Sequence, residues 1–506
     1  MLKPGRLCLC LFLSTLESTI VGTALVAITN DLKGFDISSW IVTSYLLTYT
    51  GFLTVLAKVS DTFGRRNVMS ICLILFIVSS IACGVARTML QLIIFRAVQG
   101  IGGGGMYTMT FVILPEMVPP SKYAAYSGII AGVAALSSLL GPVFGGVISD
   151  HGTWKWIFLF NAPAGFVALV LFHFSLPAHF PYMLESDSPT KLRLGHKMQR
   201  IDFLGVLLLL ASSFLLVTAI QESGIQYAWS SAMVLTLLVL SAVLILGIIG
   251  WSKYFQSRKT TQESVLPWSL LSDRYALGLL LVCFFSGLGF ITCIIILPLH
   301  YQVVFQDSPS TAGYRLLAMT LVTPLGSGVA GVVLQKLRSP PLYVLLSGFV
   351  FIIIGTGLST MSTHTSGKFP ATEYGYQIIM GFGFGINLAT IVMAAPLTFV
   401  PQDLAVGMGI SNQFRVLGGS LGVAICANIL NNHLTDRLEG IVDPMHLKAL
   451  LASAQTLALI PPELRGIVRE AFAASFVQQM QIILGLSAAG LLVTLLMVEK
   501  RPRFQH

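Results

Sequence analysis

The chain has 506 residues, of which 55% are hydrophobic and only 10% are charged. A soluble domain carries about 25% charged residues, so this composition excludes a soluble protein and predicts an integral membrane protein. The formal net charge of +9 is interpreted as a surplus of basic residues at one membrane face, and it does not indicate nucleic-acid binding.

Hydrophobic stretches of about 20 residues are long enough to cross a bilayer, and the sequence contains fourteen of them. The predicted spans are 7–29, 38–57, 67–86, 89–114, 123–149, 154–176, 203–222, 231–251, 275–304, 310–334, 341–361, 373–400, 404–433 and 478–498. The predicted fold class is therefore an all-α polytopic membrane protein. The first span is interpreted as a retained helix and not as a signal peptide, because Glu17 interrupts its apolar region.

Two longer polar stretches, 177–202 and 252–274, bracket the seventh and eighth spans. They divide the chain into a six-helix bundle at 1–176, a linker region with two inserted helices at 177–274, and a second six-helix bundle at 275–506. Two halves with charged turns at corresponding positions are typical of transporters with internal symmetry.

One long outer segment, 434–477, precedes the last predicted span. Apolar spacing at 447–459 and 464–476, on either side of Pro461 and Pro462, predicts two short amphipathic helices on the outer surface. A lid without a substrate role is as good an interpretation of this segment as a functional one.

Basic residues of the connecting segments concentrate on one side of the predicted membrane. The positive-inside bias therefore places both termini in the cytoplasm. All seven cysteines lie within predicted spans and are interpreted as small core residues, so neither a disulfide framework nor a metal site is predicted. The sequence has no phosphate-binding loop of the Gly-x-x-x-x-Gly-Lys-Ser/Thr type, so we predict no cofactor and expect an ion gradient or the substrate's own gradient to supply energy.

A short charged turn joins the second and third spans. Its residues are Lys58, Asp61, Arg65 and Arg66, and Gly64 allows the chain to reverse. One interpretation is a membrane-edge anchor that follows the positive-inside bias. The other is a latch that holds helix ends together in one conformation of a moving protein.

Charged residues are few inside the predicted spans, among them Glu17, Arg96, Arg315 and Arg415, and each costs roughly 2.5–3.5 kcal/mol at the helix centre. Glu17 is about 15 Å from the inner end of the first span, and Arg96 is about 10 Å from the outer end of the fourth. The two are therefore expected at similar depths in a core of about 30 Å. We predict that Glu17 carries a proton, because its affinity for a proton changes between an apolar environment and a nearby arginine. A permanently paired structural charge is the alternative.

Polar side chains continue along two helix faces. Gln99 lies on the face of Arg96, and Tyr107 follows three turns further along. Gln413 and Arg415 form a second polar face among the glycines of the thirteenth span. Gln99, Tyr107, Gln413 and Arg415 are predicted to line a substrate cavity, with interhelical hydrogen bonding and helix packing as the alternatives.

The fifth span carries a run of small residues: Gly132, Gly141, Pro142, Gly145 and Gly146. Pro142 removes a backbone hydrogen bond and is expected to kink the helix. Gly141 and Gly145 at i and i+4 form a groove for close contact with another helix.

Together these residues resemble the major facilitator superfamily, specifically its fourteen-span drug:proton antiporters and, within them, fungal multidrug and secondary-metabolite efflux pumps. The segment from Leu16 to Leu25 is similar to the first-helix motif of that family, in which an Asp usually stands where Glu17 is. Arg96, Gln99 and Gly100 match the fourth-helix motif, and the run from Gly132 to Gly146 matches the fifth-helix antiporter motif.

The segment from Ala57 to Met69 is similar to the family's loop between helices 2 and 3, with two departures. That motif normally begins with Gly, where this chain has Ala57, and carries a basic residue where this chain has Thr62. The departures bear on how tightly the loop holds the inner side closed.

The resemblance implies the major facilitator fold, with spans arranged as six, two and six, and proton-coupled export of small apolar or amphipathic organic compounds by alternating access. Glu17 would carry the proton, Arg96 would tune its release, and the charged turn would close the cytoplasmic side. The expected partners are a small organic substrate, protons and the lipid bilayer. The expected state is a monomer in the plasma membrane, with the vacuolar membrane as an alternative.

Two rival functions stay open. A proton symporter that imports a siderophore or nutrient would use the same fold, although the fifth-helix glycine run argues against it. A non-transporting receptor or a membrane-embedded enzyme belongs to another class. The sequence has no His, Glu and Cys constellation that favours an enzyme, so no enzymatic activity is predicted.

Overall fold

The computed structural model describes residues 5–32, 37, 39–119, 122–151, 153–174, 202–223, 227–256, 264–361, 369–400, 402–443, 461 and 463–499. This part of the chain is helical and contains no β-strand beyond one isolated bridge between Ser223 and Tyr227. The long helices are α1 (Gly5–Leu32), α2 (Ser39–Phe63), α3 (Arg65–Gly84), α4 (Met89–Met117), α5 (Tyr123–His151), α6 (Lys155–His173), α7 (Phe203–Glu222), α8 (Ala232–Gln256), α9 (Arg274–Val304), α10 (Pro309–Gln335), α11 (Pro341–Ser359), α12 (Thr372–Thr398), α13 (Leu404–Leu438) and α14 (Arg465–Thr494). A short helix, Trp268–Ser272, precedes α9, and a 3₁₀ turn, Leu495–Met497, follows α14.

Eleven helices of the described residues are long and apolar enough to cross a membrane: α2, α3 and α6 to α14. In α1 the apolar part is a shorter segment, Leu7–Val21. The all-helical, multi-pass membrane architecture is therefore confirmed, whereas the count of fourteen spans stays a prediction.

The last two helices differ from the predicted boundaries. α13 continues to Leu438, and α14 begins at Arg465, well before the predicted start of the last span. The separate surface helix predicted at 464–476 was wrong, because this segment is the first part of α14. Val468 and Phe472, one turn apart, pack in one apolar cluster with residues of α9 and α13, so the same apolar face continues into the span. The other predicted surface helix, 447–459, lies outside the described residues.

Helix packing repeats along the chain. In the first half, which we define as α1–α6, the main pairs are α1 with α5, α2 with α4, α3 with α4, and α3 with α6. In the second half, α9–α14, the same pairs recur eight helices later as α9 with α13, α10 with α12, α11 with α12, and α11 with α14. The inserted helices α7 and α8 pack on each other, and α7 also contacts α2 and α13. This recurrence is the packing expected of two pseudo-symmetric halves.

The glycine cluster of α4 lets three helices approach closely. A Cβ atom added at Gly104 would lie 3.1 Å from the backbone carbon of Tyr49 in α2, and one added at Gly102 would lie 2.8 Å from the carbonyl oxygen of Cys72 in α3. Larger residues at these positions would push α4 away from its neighbours. The glycines therefore allow close helix packing, as small residues do in membrane bundles. This packing also fixes the position of Arg96 and Gln99, which precede the glycines in α4.

Candidate functional site

Glu17 and Arg96 form a buried ion pair inside the first half. Glu17 on α1 is 0% exposed and Arg96 on α4 is 1% exposed, and Arg96 Nη1 donates a hydrogen bond to Glu17 Oε1. The structure thus brings together the two residues that the sequence placed at similar depth. Removing one partner of a buried ion pair leaves the other charge uncompensated and is costly, so this contact holds α1 to α4.

The Arg96 guanidinium also contacts three neutral groups. Its Nη1 also donates to Gln99 Oε1 at 2.8 Å, its Nε donates to the carbonyl oxygen of Ile41 at 3.2 Å, and its Cζ lies 4.1 Å from the centroid of the Tyr45 ring. Arg96 therefore keeps several partners when the charge of Glu17 is removed. Gln99, one of the predicted cavity residues, is fully buried in this cluster.

Asn161 is a member of the cluster that the sequence reasoning missed. It begins the second piece of α6, Asn161–His173, after the helix is interrupted at Phe160, and its Nδ2 donates to Glu17 Oε2. Its Oδ1 is buried without a hydrogen-bond partner among the described residues, so a rotated amide can accept the proton of a neutral Glu17. The available signal was a single polar residue in the apolar run of the sixth span.

The charged turn lies where α2 ends and α3 begins. Gly64 has φ 90° and ψ 144°, a conformation that residues with a Cβ rarely adopt. Arg65 Nη1 lies 2.6 Å from Asp61 Oδ1, and Arg65 Nη2 lies 2.9 Å from Glu116 Oε1 at the end of α4. Glu116 was missed by the sequence reasoning because it follows the predicted end of the fourth span.

The remaining basic residues of the turn also lie against the first half. Lys58 is buried, and Arg66 Nη2 lies 2.7 Å from His173 Nε2 at the end of α6. The ion pairs and hydrogen bonds of Arg65 and Arg66 therefore hold α2, α3, α4 and α6 to one another. Both functions of the turn, anchor and latch, stay predictions. The contacts that join the two halves lie one to three helical turns away from the turn.

The first contact between the halves joins α2 and α13. A Cβ atom added at Gly409 would lie 2.6 Å from the Cβ atom of Ala57. One turn along both helices, Thr54 Oγ1 donates to Gln413 Oε1, and Gln413 Nε2 donates to Ser213 Oγ of α7 at 2.7 Å. Gln413 is 4% exposed, so the structure places this predicted cavity residue at a hydrogen-bond junction of the two halves and an inserted helix.

The second contact joins α4 and α13. Arg415 Nη2 donates to the Tyr107 hydroxyl at 2.7 Å and to Asn412 Oδ1 at 2.9 Å, and the guanidinium carbon lies 4.6 Å from the centroid of the Phe111 ring. Arg415 is partly exposed, whereas Tyr107 and Phe111 are buried. Two predicted cavity residues therefore meet directly, one from each half.

The third contact joins α5 and α10. A Cβ atom added at Gly132 would lie 3.3 Å from Pro324 Cγ, and one added at Gly128 would lie 3.2 Å from the Pro324 carbonyl oxygen. Gly141 instead faces α1, where an added Cβ atom would lie 2.9 Å from Thr19 Cβ. The glycine face of α5 therefore packs against the other half at one end and against α1 further along.

The remaining antiporter-motif residues lie in the same helix. Gly145 is buried, and α5 is one continuous helix from Tyr123 to His151, so Pro142 does not end it. The surroundings of Pro142 and Gly146 fall outside what the structure describes.

These contacts show at which end of the bundle the two halves are close together. Thr54 and Ala57 lie in the part of α2 that leads to the charged turn, and Gly128 lies near the start of α5, which follows the α4 end that Arg65 contacts. The two halves are therefore in close contact at the end of the bundle that carries the turn. Opening that end requires separation of α2 from α13 and of α5 from α10.

Comparison with known proteins places the chain among membrane transporters. The family model described as Major Facilitator Superfamily matches residues 7–423. The chain is 42% identical over 499 residues to the MFS-type transporter FPY5 of Fusarium mangiferae, covering 99% of this chain and 83% of that protein. It is 31% identical to the MFS-type efflux pump MFS1 of Arthroderma benhamiae, covering 92% of this chain and 85% of that protein. It is 29% identical to the multidrug transporter protein MdtP of Bacillus subtilis, covering 97% and 87%.

Solved structures show the same fold at low sequence identity. A bacterial homologue of the human lysosomal transporter Spinster, inward-facing and unoccupied, superimposes with a TM-score of 0.59 at 14% identity and covers 98% of this chain and 96% of its own. The proton:xylose symporter XylE superimposes with a TM-score of 0.55 at 12% identity, covering 95% and 94%. At these identities the likeness concerns the fold alone.

Proposed function

The chain belongs to the major facilitator superfamily, and on that premise we propose that it exports small amphipathic organic compounds in exchange for protons. The observation that carries the proposal is the ion pair between Glu17 and Arg96, which is closed off from solvent and backed by neutral hydrogen-bonding groups. Several relatives are named efflux pumps or multidrug transporters, which favours export over import.

In this mechanism Glu17 is the group that binds and releases the proton. When it is charged, Arg96 and the Asn161 amide donate to its two oxygens. When it takes up a proton, Arg96 retains Gln99 and the Ile41 carbonyl oxygen as partners, so the guanidinium is not left without acceptors. Proton binding therefore weakens the attachment of α1 to α4 without breaking the hydrogen bond of Arg96 to the Ile41 carbonyl oxygen of α2.

In the proposed cycle, the contacts between the two halves break and re-form. The two halves meet at Gly409 and Ala57 and at Gly132 and Pro324, where small side chains allow close approach. Contacts of this kind can separate without leaving large apolar side chains in the gap. We propose that proton binding at Glu17 shifts the equilibrium between this conformation and one opened at the turn end, as a ligand with different affinities for two conformations must.

The remaining assignments belong to the same proposal. The chain acts as a monomer of two six-helix bundles, 1–176 and 275–506, joined through 177–274, with both termini in the cytoplasm. It transports and does not catalyse a chemical reaction. The plasma membrane is the expected location, with the vacuolar membrane as the alternative. Exchange for one proton is adequate energetically, because one charge crossing about 100 mV contributes about 2.3 kcal/mol, or nearly fifty-fold in concentration at about 1.4 kcal/mol per decade.

Purified protein in liposomes tests the direction of coupling. Vesicles with an acidic lumen should accumulate an amphipathic probe in exchange for lumenal protons, beyond the amount in protein-free vesicles with the same pH gradient. A panel of neutral, anionic and cationic naphthalene compounds avoids dependence on one substrate. Accumulation driven only by an alkaline lumen would instead support the symporter. In cells, deletion of the gene should raise the internal concentration of exported compound, whereas reduced uptake would favour import.

A further inference from the structure

Arg415 differs from the other two arginines that the sequence places inside spans. Arg96 pairs with Glu17, and Arg315 pairs with Asp307, whose Oδ2 lies 2.6 Å from Arg315 Nε. Arg415 forms no ion pair with a carboxylate among the described residues. Its hydrogen bonds go to a phenol and an amide, and its guanidinium carbon lies near the rings of Tyr107 and Phe111. The described residues therefore solvate the positive charge of Arg415 but supply no carboxylate that neutralises it.

Arg415 lies where a substrate-binding residue is expected. It lies eleven residues from the start of α13 at Leu404, about 16 Å along the helix at about 1.5 Å per residue. Tyr107 lies ten residues before the end of α4 at Met117, or about 15 Å. Both residues are therefore near the middle of the bundle and at the junction of the two halves, which is where transporters of this architecture bind substrates.

The Arg415 guanidinium also has N–H donors that bind no described residue. Both hydrogen bonds to described residues are donated by Nη2, and the side chain is partly exposed. An arginine has five N–H donors in a fixed planar arrangement. Nε and Nη1 therefore remain for an acceptor that enters from the space between the halves, and a carboxylate fits such an edge with two parallel hydrogen bonds.

Aromatic side chains form the surface beside this charge. The ring centroids of Tyr49 and Tyr107 are 5.6 Å apart, and those of Tyr107 and Phe111 are 5.1 Å apart. The same patch thus offers a cation that pairs with no carboxylate of the described residues, next to apolar, polarizable rings. Its chemical complement is a molecule with an aromatic or apolar body and a single negative charge.

We propose that Arg415 and Tyr107 form an anion-selective subsite, and that the preferred cargo of this protein is an amphipathic organic acid. The inference rests on the proposed export function and names its substrate class. A neutral analogue would lose the pairing with Arg415. A cationic analogue would be repelled by it, because like charges in a partly desolvated site destabilise each other.

Three probes of matched shape separate charge from hydrophobicity: 1-naphthylacetate, 1-naphthylacetamide and (1-naphthylmethyl)trimethylammonium. Their binding to the purified full chain in lipid nanodiscs is measured by titration calorimetry at neutral pH, without any proton gradient. The carboxylate should bind at least about tenfold more tightly than the amide, or about 1.4 kcal/mol, and the cation should bind most weakly.

Two variants connect that preference to Arg415. Arg415→Gln removes the charge and should reduce the affinity for the carboxylate to that for the amide. Asn412→Asp keeps the arginine but places a carboxylate where Oδ1 already accepts from Arg415 at 2.9 Å, so it should abolish the preference through internal pairing. This second variant keeps the test decisive if the first fails to fold.

The outcomes separate this inference from the export proposal. Equal binding of the carboxylate and the amide in the unaltered protein, absence of carboxylate binding, or a preference that survives in the Asn412→Asp protein would overturn the anion subsite. Accumulation of the neutral or cationic probe by a proton gradient would then leave the export proposal standing. Carboxylate binding that depends on Arg415, without gradient-driven movement of any probe, would instead support the subsite and contradict the export proposal.

Discussion

Gln413 offers the sharpest test of how the two halves are held together at the turn end. It accepts from Thr54 of α2 and donates to Ser213 of α7 at 2.7 Å. Replacement by Leu keeps much of the volume but removes both hydrogen bonds. Each such bond between membrane helices contributes about 0.6 kcal/mol on average, so the closed conformation should lose about 1.2 kcal/mol. At about 1.4 kcal/mol per decade, the ratio of open to closed protein should rise about sevenfold.

Spin labels at the turn end measure this ratio directly. Asn67 at the start of α3 and Leu337 just beyond α10 are exposed and belong to different halves, so both can be changed to Cys and labelled. Cys8 would be replaced by Ala, since the other native cysteines are buried. Pulsed electron–electron distance measurements in nanodiscs then give the populations of short and long distances. Gln413→Leu should enlarge the long-distance population about sevenfold relative to the short.

A matched glutamine controls for the loss of a hydrogen bond as such. Gln479 of α14 is buried and donates to the Cys426 carbonyl oxygen at 2.9 Å, a bond within the second half. Gln479→Leu should leave the distance populations unchanged. An unchanged distribution in Gln413→Leu, or an equal change in both variants, would refute the view that Gln413 joins the halves.

Three further substitutions test local features. Gly64→Ala should destabilise the protein by about 1–3 kcal/mol, because the backbone conformation at Gly64 is strained for a residue with a Cβ. Gly247→Ala, with open space around it, should not. Thermal unfolding in detergent compares the two variants, and equal melting temperatures would contradict the need for glycine at position 64. Gly104→Ala should lower the melting temperature by overpacking α4 against α2, at a cost of about 1–3 kcal/mol, while Gly328→Ala, which meets no atom within 4 Å, serves as its control and should not. Asp61→Asn should slow turnover of a transported probe without weakening its binding, and unchanged turnover would leave the charged turn as a topology anchor only.

Much of the fold follows from hydrophobic length, because a bilayer requires apolar stretches of about 20 residues. That criterion located the long helices and the inserted pair α7 and α8. It did not locate the ends of α13 and α14, where apolar faces continue beyond the span. Val468 and Phe472 bury against neighbouring helices, and no rule based on membrane thickness predicts how far such a face extends.

The candidate site was predictable where a charge interrupts an apolar run. Glu17 and Arg96 stand out for that reason, and the structure brings them together. Asn161 and Glu116 were missed because neutral polar residues and residues at predicted helix ends carry no comparable signal. The cavity role of Gln413 stays a prediction, and its hydrogen bonds to Thr54 and Ser213 were not predictable, because sequence gives the face of a helix but not the helix that this face meets.

Proton coupling through Glu17 is tested by gradient-driven transport in liposomes. Liposomes that contain the Glu17→Gln protein are given an acidic lumen, and accumulation of the naphthalene probes is followed beside the unaltered protein and Glu17→Asp. Calorimetry confirms that all three proteins still bind a probe. We expect gradient-driven accumulation by the unaltered protein and the Asp variant and none by the Gln variant, which has no proton to exchange. Normal gradient-driven accumulation by the Gln variant would contradict the proposed role of Glu17 as the proton carrier.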